Sequence, residues 1–160
     1  ASGIFTVRHI VRGRWESGTV EKTVRRTAEE DGRATHVYVE KDPGQAGKAQ
    51  LRHYKASVLA GYPVHEGMTK IDGKSASKEV RSRPVAAAVA NELVQIAADC
   101  PNLREFLDEV SIFPNGQHDD IVDALSGAHN ALTSRPVGSG RVSAPRGRIA
   151  GVEQRTIPGR

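Results

Sequence analysis

A chain of 160 residues, 38% hydrophobic and 26% charged, is long enough for one domain with its own core, and no run in it approaches the roughly 20 apolar residues of a membrane span. Its single cysteine, Cys100, excludes an internal disulfide and fits a reducing compartment. The net charge of +4 is uneven: from Thr133 to Arg160 six Arg against one Glu make +5, which leaves −1 for residues 1–132. The basic balance therefore belongs to the tail, and bulk charge gives no nucleic-acid signal for the body.

The chain opens on Ala1 with a strand-like segment and no charged-then-apolar leader, which suggests a fragment or a processed chain. Ile4 to Trp15 alternates and predicts a long strand. Ser17-Gly18 starts a helix with Val20, Val24 and Ala28 on one stripe, ending near Asp31-Gly32. His36 to Glu40 predicts a short strand, broken by Asp42-Pro43-Gly44, with Asp42 as a turn residue. A helix follows to about Ala60, with Leu51, Tyr54 and Val58 in phase and Gly61 closing it. Pro63 to Glu66 predicts another strand.

Met68 to Arg83 reads as a polar, basic loop carrying Lys70, Lys74, Lys78, Arg81 and Arg83, with Pro84 in the first turn of the helix that follows. Leu93 to Ala97 predicts a strand, with Cys100 a small, partly buried residue at a strand end and not a nucleophile. Pro101 opens a helix with Leu103, Phe106, Leu107 and Val110 on one side. A final helix runs from about His118 to Leu132. From Thr133 the chain is rich in Gly, Pro, Ser and Arg without periodicity and is expected to be flexible or extended. The alternation of strands and helices predicts an α/β class with a substantially parallel sheet.

The most informative stretch is His118-Asp119-Asp120-Ile121-Val122-Asp123, with three carboxylates within five residues. On a helix Asp119 and Asp123 share a face one turn apart, with Asp120 beside them. Such crowding is costly unless something positive sits there, and a divalent metal ion meets that need. Each acid has an alternative use, because carboxylates in a first turn cap free N–H groups and offset the helix dipole. Glu40 supplies a second acid at the carboxyl end of a strand, where sites gather in α/β sheets. It also reads as a plain solvated strand end. Gly44-Gln45-Ala46-Gly47-Lys48 is not a phosphate loop: two residues, not four, separate the glycines, and Ala49 follows the Lys. Its helix start and Lys48 still suit a DNA phosphate.

Three blocks, Val37-Tyr38-Val39-Glu40-Lys41-Asp42-Pro43-Gly44, then Arg81-Ser82-Arg83-Pro84, then Phe113-Pro114-Asn115-Gly116-Gln117-His118-Asp119-Asp120-Ile121-Val122-Asp123, together resemble the C-terminal nuclease domain of the large terminase subunit of tailed bacteriophages over about residues 4–132. The resemblance implies a ribonuclease H-like mixed sheet flanked by helices. It implies an endonuclease that cuts concatemeric double-stranded viral DNA during head packaging in the host cytoplasm, with two Mg²⁺ or Mn²⁺ ions roughly 4 Å apart. It makes Glu40, Asp120 and Asp119 the catalytic and metal-binding acids, with Asp123 completing the site, and Lys48, Lys74, Arg81, Arg83 and His118 the DNA contacts. The portal protein and the small terminase subunit are the implied partners.

One feature departs from the family. Its first strand bears an Asp that bridges both ions, and residues 1–15 contain no acid. The expectation is a nuclease domain (1–132) lacking its front, weak or inactive by itself, self-associating through an exposed sheet edge, followed by an Arg/Gly/Pro-rich tail (133–160). The rivals are a non-catalytic module that docks on DNA or the portal through that tail, another ribonuclease H-like nuclease such as a resolvase, and a plain α/β scaffold with capped helices.

Overall fold

The computed structural model describes residues 3–41, 44–67, 70–71 and 74–134, without the side chains of 70–71 and 74–75. Within them the chain is mixed α/β. In order come β1 (Phe5–Val7), α1 (Ser17–Asp31), β2 (Val37–Val39) and α2 (Gln45–His53), which widens into a π turn at Tyr54–Val58. β3 (Val64–Glu66), β4 (Lys70–Ile71), β5 (Lys74–Ser75), α3 (Lys78–Ala90), β6 (Val94–Ile96), α4 (Leu103–Ile112) and α5 (Asp120–Thr133) follow.

The parallel pairing expected of alternating strands and helices is present, but as separate pairs and not one sheet. β1 pairs with β6 and β2 with β3, both parallel, while β4 and β5 form a small antiparallel hairpin. Two apolar clusters follow this division. Ala28, Tyr54, Val58, Leu59 and Val64 bury the stripes of α1 and the α2 region against β2 and β3. Ile10, Cys100, Phe106 and Ile121 bury α4 and α5 against β1 and β6. A groove of about 1010 Å³ lies between the halves, lined by α1, β2 and α5 among others.

Several sequence expectations need correction. The strand predicted over 4–15 is three residues long: its last rung is Ala97 N–H to the Val7 carbonyl, and β6 then turns away as Cys100 bonds back to Ala97. Residues 8–15 have no partner strand among the described residues, and a strand exists only where a neighbour accepts its backbone. The basic loop predicted to reach Arg83 instead becomes helical at Lys78, where the Ser77 hydroxyl caps the first turn by accepting from Val80 N–H at 3.4 Å. Pro84 is thus inside α3, not in its first turn. Pro84 is exposed, and with no N–H it leaves the Val80 carbonyl without its helical partner. On α4, Phe106 is buried as expected, but Leu107 and Val110 are exposed and Glu109 lies in the interior in their place. Lys48 sits on α2, Asp42 lies outside the described residues, and of the tail only Thr133 and Ser134 lie within them.

Candidate functional site

Glu40 follows directly on β2 and lines the groove. The chain after β3 returns close beneath it: Gly67 donates to the Val39 carbonyl at 2.8 Å, and a Cβ on Gly67 would meet the Glu40 backbone at 3.0 Å. Only glycine fits that approach without displacing the residue that carries the acid.

The α5 acids face across to α3. These two helices pack closely through small and polar residues, with Ser82, Val85 and Ala88 of α3 and Ser126 and Asn130 of α5 all buried. Asn130 donates to the Arg81 carbonyl at 3.0 Å, which fixes the start of α3 against α5. On this frame Arg81 donates to Asp123 Oδ1 at 2.9 Å through one terminal nitrogen and reaches Glu40 Oε1 at 3.5 Å through the other. Lys78, one turn earlier, reaches Asp119 Oδ1 at 2.7 Å and Asp123 Oδ2 at 2.8 Å. The hydrogen bonds to Asp119 and then Asp123 hold the Lys78 ammonium above the ordinary lysine range.

The capping alternative for the acids is answered by a residue the sequence did not single out. Glu109 of α4 accepts from Ile121 N–H at 2.7 Å and Val122 N–H at 3.1 Å through Oε1, while Arg12 approaches its Oε2 at 3.3 Å. The α5 N-terminus is therefore satisfied from outside, and the Asp119 side chain makes no cap bond. Asp119 and Asp123 are left to face α3. The available signal for Glu109 was its place beside the Leu103–Phe106 stripe of an otherwise amphipathic helix.

The expected residues thus separate into groups. Glu40, Asp119 and Asp123 are brought together by Lys78 and Arg81. Asp120, expected as the leading acid of α5, lines the groove with His118 but has no ion-pair partner among the described residues. Arg81, expected as a DNA contact on a basic loop, is more than nine-tenths buried and pairs with the acids; Arg83 is exposed on α3. Lys48 lines a separate groove of about 480 Å³ with Lys41, Arg52 and Glu66. Lys74 lies in β5, and its side chain is outside the described set.

Carboxylate oxygens are the donors a hard divalent ion takes. Among the described residues, however, no three acidic, histidine or cysteine side chains converge as one ion requires. The facing carboxylates hold an ammonium and a guanidinium. As arranged, the acids form an ion-pair network with Lys78 and Arg81. No family model, no curated protein and no solved structure matches the chain.

Proposed function

We propose that this chain belongs to the nuclease part of a phage DNA-packaging terminase, of ribonuclease H-like class, and that it cuts double-stranded DNA with Mg²⁺ or Mn²⁺ in the host cytoplasm. The observation that carries the reading is the meeting of Glu40, from the end of β2, with Asp123 on the two terminal nitrogens of one guanidinium, although 83 positions separate them. Asp119 joins them through Lys78. Bound divalent ions would supply Lewis acidity for phosphodiester hydrolysis. The chain's own part is to gather the acids beside an open groove. Slow cutting is expected, since no acid from residues 3–15 joins the cluster.

Supercoiled plasmid, incubated with excess protein and Mn²⁺, is expected to convert slowly to nicked circles, with conversion lost in EDTA and in Glu40→Gln and Asp123→Asn. Cutting that survives EDTA or both substitutions contradicts the reading. No conversion at large excess favours the non-catalytic module that docks on DNA or the portal.

A purely structural network has one observation in its favour: Asp119 and Asp123 already hold cationic partners. That reading predicts that Mn²⁺ leaves the melting temperature unchanged.

A further inference from the structure

The two cations at the acid cluster are held very differently. The Arg81 side chain is 9% exposed, bonded to Asp123, and fixed through its own carbonyl by Asn130. Its Nε is buried with no partner, so the guanidinium is committed to this position at a cost. The Lys78 side chain is 46% exposed and belongs to the first residue of α3, where the positive end of the helix disfavours a cation. Among the described residues only Asp119 and Asp123 hold it there. A lysine is a compact charge on a flexible stem that can swing into water, whereas a buried arginine cannot leave without stranding its partner.

We infer that Lys78 is the exchangeable counter-ion of this site: a divalent cation reaches Asp119 and Asp123 only by displacing the Lys78 ammonium, while Arg81 stays in place. This rests on the metal-dependent reading above and accounts for the absence of a ready-made cage. Lys78 is then a positioning residue. It offsets the repulsion between the two carboxylates and neutralises them without metal, and it sets how much metal is needed to load them. Asp119, freed of it, is one turn from Asp123 on the same helix face, so the two can turn to a single ion.

The test is calorimetric titration of Mn²⁺ chloride into the full chain and into Lys78→Met and Lys78→Ala, with melting curves to confirm that each variant is folded. The methionine variant keeps the apolar stem should the alanine variant melt early. Removing the competing charge is expected to tighten Mn²⁺ binding by roughly tenfold in either variant. Equal or weaker binding in the variants, with binding in the unaltered chain, overturns the exchange and leaves the nuclease reading standing. No binding in any of the three overturns both.

Discussion

Arg81 donates to Asp123 at 2.9 Å with both side chains less than a tenth exposed, and this pair joins the first turn of α3 to the first turn of α5. The same guanidinium reaches Glu40, so it is also a link between the two apolar clusters.

Breaking one side of a buried pair leaves an uncompensated charge. Arg81→Ala is therefore expected to lower stability by about 3–5 kcal/mol, measured by denaturant unfolding. The double variant Arg81→Met/Asp123→Leu should recover most of that loss, because neither charge remains to be desolvated. An Arg81→Ala chain as stable as the parent would show that the pair contributes nothing.

Glu109→Ala removes the acceptor of two buried N–H groups at the start of α5. A loss of about 2–3 kcal/mol is expected, with Glu109→Gln retaining more because its amide oxygen still accepts. Amide exchange reads the effect locally: Ile121 and Val122 should lose protection first. Unchanged protection at those two amides would contradict the capping role.

Tyr54 is buried, and desolvation, with Glu21 adding, raises its phenol above the ordinary value of 10.0. The unfolded chain ionises first as pH rises. The stability from this group is therefore complete below pH 10 and is lost as pH climbs through the higher folded value. Absorbance at 295 nm should show one of the three tyrosines ionising late, and Tyr54→Phe should flatten the alkaline fall in melting temperature. Simultaneous ionisation of all three tyrosines would contradict this.

DNA affinity is expected to be salt-dependent mainly through the six Arg beyond Thr133. Each phosphate neutralised contributes about 0.9 to the slope of log K against log salt. Removing residues 135–160 should flatten that slope by several units. An unchanged slope would place the contacts in the body.

The helices were legible where a stripe persisted: Val24 and Ala28 lie where the 3.6-residue period puts them, while Tyr54 and Val58 are buried as expected but on a wider π turn. The acid cluster was legible as a place but not as an arrangement. Helical phase puts Asp119 and Asp123 on one face and turns Asp120 about 100° away, which is why the two outer acids and not Asp120 meet α3. Their counter-ions could not be read, because Lys78 and Arg81 lie more than 40 residues from them and the pairing exists only once α3 packs on α5. Charge density alone also made residues 78–83 look like loop, although Ser77 was a cap in plain view. Glu109 was missed because an acid in an amphipathic helix is usually solvated.

The most direct measurement is paramagnetic broadening in the ¹⁵N-labelled chain as Mn²⁺ is added at substoichiometric levels. The account predicts selective loss of the amide signals of Glu40 and Lys41 together with those of Asp119 to Asp123, from one shared ion site. Broadening confined to one of these two segments, or spread evenly over the surface acids, would contradict it.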